Sequence, residues 1–286
     1  MVAALAGCGG SGTETAANGS TDTAAASGSI SVISREDGSG TRGAFVELFG
    51  VEEKDADGNK VDKTKPDASI TNSTAVMMTS VANDPNAIGY LSLGSLDDSV
   101  KAVKIDGAEA SAENIKNGSY TVSRPFNIVT GDKVSDVAKD FMNFILSQEG
   151  QKIVEDNKYI ASVEQPKAYN GKKPSGKIVI AGSTSVTPVM EALKEAYLAI
   201  NTNAEIEIQT SDSTTGITSV KDGICDIGMA SRELKDDEKG AGLTPTVIAI
   251  DGVAVVVNNS NAIDNLTKDQ VKSIYVGETT DWSQLN

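Results

Sequence analysis

The chain has 286 residues, an aromatic content of 4%, no histidine and a formal charge of −15. That length suits two domains of ordinary size or one large one. The acidity and the scarcity of aromatics argue against a nucleic-acid partner, which needs basic patches and stacking surfaces. The lack of histidine removes the commonest metal ligand and the commonest general base at neutral pH. An acidic chain of this kind can still hold an anion, through local dipoles and hydrogen bonds rather than net charge.

The start, Met1 to Gly10, contains Leu5-Ala6-Gly7-Cys8, which resembles a bacterial lipobox with Cys8 as the lipidated residue. The charged and apolar parts of a complete signal peptide do not precede it, so the natural start is expected upstream. Residues 9–29 are small and polar and carry no large apolar side chain. They read as a flexible tether, because they cannot bury enough surface to offset their ordering entropy. Lipid plus tether predicts an extracytoplasmic domain anchored to a membrane. No later segment has the length of a transmembrane helix. With Cys8 accounted for, Cys225 is left as a lone, buried thiol in the apolar run Gly223 to Ile227.

Beyond the tether, strand-like and helix-like segments alternate. Ile30 to Ser34 reads as a strand, followed by a helix to Phe49 and a charged surface excursion over 51–69. Ser73 to Val81 reads as a helix, Ala87 to Leu93 and Val100 to Ile105 as strands, and Ala110 to Lys116 as a helix. Val134 to Asn157 is amphipathic, with a break expected near Gly150. The Pro-, Gly- and Lys-rich stretch 164–176 is the internal linker candidate. After it, strands at Lys177 to Ala181, Ala204 to Gln209, Asp226 to Met229, Val247 to Ile250 and Val253 to Val257 alternate with helices. Those helices are Ser185 to Ile200, Thr214 to Lys221 and Lys268 to Tyr275. This alternation predicts an α/β fold whose ligand sits beyond the carboxyl ends of the strands.

Three strand-to-helix junctions share one character: Ser34 to Arg42, Ala181 to Pro188 and Gln209 to Gly216. Each places small hydroxyl residues where a helix starts, and a helix start offers unpaired amides and a positive dipole end. Serine and threonine are also ordinary helix caps, so one such junction means little. Three in one chain, one of them carrying Arg35 and Asp37, point to an oxyanion. Neither the P-loop nor the dinucleotide-binding spacing is present.

SREDGSGTR (34–42), AGSTSVTP (181–188) and DIGMASREL (226–234) resemble the phosphate-binding proteins of bacterial phosphate ABC transporters, the PstS family. NAIGYLSLGSL (86–96), DGVAVVVNNSN (251–261) and IYVGETTDW (274–282) agree. The resemblance covers nearly all of residues 30–286. It implies a type II periplasmic-binding-protein fold, with two α/β lobes joined by a hinge and the ligand in the cleft. It also implies inorganic phosphate as ligand, a membrane permease as partner, a monomer, and no cofactor or metal.

In the same terms, Arg35 pairs with the anion, Asp37 holds Arg35, and Ser39, Gly40 and Thr41 donate to the anion. Thr184, Ser185 and Ser213 supply further donors. Ser231 stands where some members carry an aspartate that accepts the phosphate proton, which puts the discrimination against sulfate in doubt. Arg232 either adds a charge to the site or pairs with Glu233. Family members usually carry the AGSTSVTP segment first, whereas here the order is reversed. The chain therefore resembles a circular permutation, joined through 161–176, with Asn286 near Ser29. The expected lobes are 30–97 plus 255–286, with the SREDGSGTR loop, and 98–254, with the other two loops; residues 1–29 form the anchor and tether.

No nucleophile–base pair is evident, so a phosphatase is the weaker alternative. A phosphate-binding surface sensor or adhesin not coupled to transport is the other.

Overall fold

The computed structural model describes residues 27–240 and 242–285. Cys8, the expected tether up to residue 26, and Asn286 lie outside the described residues. From Gly28 onward, β1 (Ser31–Arg35), α1 (Gly40–Leu48), the hairpin β2 (Glu52–Lys54) and β3 (Lys60–Asp62), and β4 (Ser69–Thr71) open a first lobe. α2 (Thr74–Asn83), β5 (Ala87–Ser92), β6 (Lys101–Ala102), β7 (Lys104–Ile105) and α3 (Ala112–Lys116) continue it. β8 (Ser123–Thr130) crosses to a second lobe of α4 (Asp136–Ile145), α5 (Gln148–Asp156), β9 (Ile160–Ala161), β10 (Gly176–Ser183) and α6 (Thr187–Ile200). β11 (Ala204–Ser211), α7 (Ser213–Lys221), β12 (Ile227–Ala230) and α8 (Asp236–Lys239) complete that lobe. β13 (Thr244–Val257) returns to the first lobe, which ends with β14 (Asn265–Leu266) and α9 (Lys268–Tyr275).

The main sheet runs β11-β10-β12-β8-β13-β5-β1-β4. β13 pairs antiparallel with β8 from Thr244 to Gly252, then changes partner and pairs with β5 from Val253 to Val257. One strand thus belongs to both lobes, where two strands were expected. Gly252 does not end it; a Cβ there would come within 2.8 Å of Ile115 Cδ1, so the glycine permits close packing instead.

Along β13, Val253, Val255 and Val257 face Phe45, Tyr90, Tyr275 and Trp282, while Ala254 and Val256 face Ile33, Met77 and Val81. A strand covered on both faces reads as a continuous apolar run rather than an alternating one, which explains Val253 to Val257. The second lobe repeats the plan, with Phe126, Phe141, Ile180 and Tyr197 on one side of its sheet and Val129, Ile217 and Leu234 on the other.

Three expectations are corrected. Residues 98–122 do not belong to the second lobe: Val100, Val103, Ile105, Tyr120 and Val122 pack in the cores of the first, so the lobes change over at 123–124 and 251–252. The break in the 134–157 helix falls at Leu146–Ser147, where Ser147 Oγ caps α5 by accepting from Gly150 N. Gly150 lies inside α5, and any Cβ there would overlap the Phe144 carbonyl; the glycine lets α5 fold back onto α4. Val100 to Ile105 forms two short strands, β6 and β7, on different partners.

The linker is fastened rather than loose. Asp140 accepts from Tyr169 Oη at 2.5 Å, Tyr197 Oη at 2.9 Å and Lys172 N at 2.9 Å. At the other extremity, Ile30 N donates to Thr280 O at 2.8 Å and Trp282 N to Gly28 O at 3.0 Å, so the two ends of the described chain pair with each other. Among the described residues no helix is long and apolar enough to cross a membrane, and no acidic or cysteine cluster is arranged to hold a metal.

Candidate anion-binding site

β1 is parallel to β4 and β5, and β10 is parallel to β11 and β12, so the carboxyl ends within each lobe lie on one edge. The two edges face each other across the cleft. Four helix starts point into it. Ser39 caps α1 by accepting from Arg42 N, Ser73 caps α2 by accepting from Val76 N, and Asp212 caps α7 by accepting from Thr215 N. At α6 the cap position is Val186, whose amide donates to Ser183 O, no side chain caps the helix, and Pro188 in its first turn has no N–H to satisfy.

The charge comes from Arg35, whose side chain is only 2% exposed. Its Nε and Nη2 each donate to Glu36 at 2.8 Å, and Nη2 reaches across the cleft to Thr184 Oγ1 at 3.2 Å. Its Nη1 is buried and has no partner among the described residues. A guanidinium nitrogen can only donate, and a buried donor left unpaired is costly, so this atom is prepared for an acceptor.

Around it the hydroxyls of the two lobes meet. Thr41 Oγ1 lies 2.8 Å from Ser185 Oγ, and Thr74 Oγ1 lies 3.2 Å from the same atom. Ser183 Oγ donates to Ser231 Oγ at 3.0 Å, and Ser231 N donates to Ser213 Oγ at 3.0 Å. Gly40 closes the ring: a Cβ there would fall 2.7 Å from Ser231 Oγ and overlap Ser213 Oγ. Each hydroxyl can turn its proton toward a tetrahedral oxyanion, while Arg35 supplies the positive charge. No member of the ring is a nucleophile beside a base.

A model of the PBP superfamily domain matches residues 16–149 and 167–286. The phosphate-binding protein PstS 2 of Streptococcus agalactiae is 58% identical over 260 residues, covering 91% of this chain and 88% of the relative. Its namesake from Streptococcus pneumoniae is 46% identical over 260 residues, 91% of this chain and 89% of the relative. A crystal structure of a phosphate ABC transporter phosphate-binding protein from Streptococcus pneumoniae superposes with a TM-score of 0.72 at 46% identity, covering 91% of this chain and all of that one. The chain belongs to the PstS family of the PBP superfamily.

Of the residues expected at the site of this PstS-family chain, Arg35, Gly40, Thr41, Thr184, Ser185, Ser213 and Ser231 meet in the cleft, and Ser39 sits at the α1 cap. Asp37 and Arg232 do not act as expected. The Asp37 side chain is 96% exposed and pairs with Arg42, not Arg35. Glu36 holds Arg35 instead: its own amide still donates to Thr71 O in the register of β1, which keeps its carboxylate beside Arg35, whereas Asp37 lies in the turn that leaves the sheet. Arg232 pairs with Glu238 rather than with the Glu233 carboxylate. Its Nη1 and Nη2 each donate to Glu238 at 2.7 Å, with a further bond to the Glu233 carbonyl. Burial works against the charge of Glu238, yet Arg232 and the Lys235 amide hold its carboxyl below the usual range.

Three participants were missed. Glu36 is one. Thr74 is another, although Ser73-Thr74 at the start of α2 repeats the pattern of the three junctions. The third is Arg42, which braces the loop by donating to the Arg35 carbonyl at 2.8 Å, to Asp37 at 2.8 Å and to Asp62 at 2.7 Å. Its ligand Asp62 projects from the charged excursion, which distance along the chain concealed.

Proposed function

We propose that this protein captures inorganic phosphate outside the cytoplasm, encloses it between its lobes and presents it to the membrane permease of a phosphate ABC importer. The observation that carries the reading is the buried Arg35 with its unpaired Nη1, surrounded by hydroxyls from both lobes. The relatives named as phosphate-binding proteins support it, as does the absence from the ring of a nucleophile–base pair, which favours binding over hydrolysis. Hydrogen bonds to a charged group contribute about 1.5–3 kcal/mol each. A half-dozen of them support affinity of about micromolar or tighter after ordering costs.

The site is proposed as Arg35, Gly40, Thr41, Thr74, Thr184, Ser185, Ser213 and Ser231, with Ser39 and Glu36 holding the loop. The protein is read as a monomer, tethered through lipidated Cys8, whose segment order is a circular permutation of the usual family order. The pairing of Ile30 with Thr280 and of Gly28 with Trp282 supports the permutation, because ends that lie together can be rejoined elsewhere without disturbing the core. Titration calorimetry with inorganic phosphate tests the function. Arg35→Ala is expected to weaken binding by about tenfold or more, the equivalent of about 1.4 kcal/mol. Unchanged affinity would overturn the site.

A further inference from the structure

Arg232 was expected either to add a charge to the site or to pair with Glu233, yet both Nη nitrogens of its guanidinium are engaged elsewhere, and one of their bonds leads across the cleft. Nη2 donates to Thr214 Oγ1 at 3.1 Å, and Thr214 Oγ1 lies 3.2 Å from the carbonyl of Gly38 in the opposite lobe. The Thr214 amide donates to the same carbonyl at 3.2 Å. Chemistry gives this chain one direction. A guanidinium only donates and a carbonyl only accepts, so Thr214 Oγ1 accepts from Arg232 and has its single proton free for Gly38. The cation behind the hydroxyl polarises it and strengthens the forward bond. Glu238 on α8 fixes Arg232 through two bonds, and both side chains are nearly buried. Gly38 in turn packs against Asp212, where any Cβ would overlap the carboxylate, so the two loops fit only with a glycine at 38.

We propose that Glu238, Arg232 and Thr214 form a latch on the Gly38 carbonyl that stabilises the closed arrangement of the lobes without touching the ligand. It deepens the phosphate-binding reading, since such a latch sets how long an enclosed anion is retained. Arg232 and Thr214 are positioning residues. A contact made only when the lobes meet slows opening and leaves the encounter with the anion alone, so its loss is felt in the release rate.

The test separates the latch from the ligand. Spin labels at Asp67→Cys and Asp222→Cys, one on each lobe, in a Cys8→Ser background, report the interlobe distance by pulsed electron resonance in phosphate-free protein. Thr214→Val is expected to shift this distribution to longer distances, and Thr214→Ser, which keeps the hydroxyl, to restore it. With inorganic phosphate, Thr214→Val is expected to release about tenfold faster while association changes by less than about twofold, which is the effect of losing about one good hydrogen bond. Glu238→Gln shifts both readouts the same way and decides the matter if Thr214→Val fails to fold. An unchanged interlobe distance in both variants overturns the latch whatever phosphate does. Parent protein that binds no phosphate overturns the proposed function, and the distance measurement still judges the latch.

Discussion

Two buried arginines sit at the centre of this molecule and differ in what holds them. Arg35 and Arg124 each expose only 2% of their side chains, each give Nε and Nη2 to one carboxylate, and each leave Nη1 unpaired among the described residues. The partner of Arg35 is its neighbour Glu36, 22% exposed at the cleft rim. The partner of Arg124 is Asp251, with a side chain 0% exposed, where β8 and β13 cross between the lobes. Asp251 is also bound by Ser92 Oγ at 2.9 Å, and Arg124 lies over the Phe126 ring. A carboxylate that water reaches can yield its place to a ligand oxygen at small desolvation cost, whereas a sealed one cannot. The same ion pair therefore makes a binding site in one place and a fixed crossing in the other.

That contrast can be broken by stability measurements first. Arg124→Met strands Asp251 without a counter-charge and is expected to lower stability by about 3–5 kcal/mol in urea unfolding. Arg35→Met, whose Glu36 regains water, is expected to lose less than about 1 kcal/mol. Equal losses would abolish the distinction.

The next effect is pH-dependent. Burial pushes the Asp251 carboxyl up to about 6, against the pull of Arg124. A carboxyl whose folded value is raised binds its proton more tightly in the native state. The stability this contributes is fully present below the unfolded value of 3.8 and is lost as pH rises through about 6. The difference between parent and Asp251→Asn should therefore vary by up to about 3 kcal/mol across that window, and a flat difference would sink the assignment.

At the site itself, Gly40→Ala places a methyl against Ser213 and Ser231 and is expected to weaken phosphate binding by about tenfold or more in calorimetry. The smallest effect sharpens the comparison. If Glu36 is an exchangeable partner, Glu36→Gln removes a negative charge beside the anion and raises phosphate affinity about two- to fivefold. A fall in affinity would mean that Glu36 must stay on Arg35 while phosphate is bound, much as Asp251 stays on Arg124.

The sequence by itself determined the α/β class, the three hydroxyl-bearing junctions and most of the side chains that meet in the cleft. These features are local: strand and helix periods, cap residues and short motifs are written within a few residues of one another. Arg35 was legible because it stands where a strand gives way to a hydroxyl-rich junction. Tertiary structure alone decided which carboxylate holds Arg35, because Glu36 and Asp37 differ only in which of them keeps the register of β1. It also decided that Val247 to Val257 is one strand shared by two lobes, that residues 98–122 pack with the first lobe, and that Arg232 faces Glu238 and Thr214 rather than the Glu233 carboxylate. Each of these depends on contacts between residues far apart in the chain, and the geometry of such contacts is set by how the layers pack.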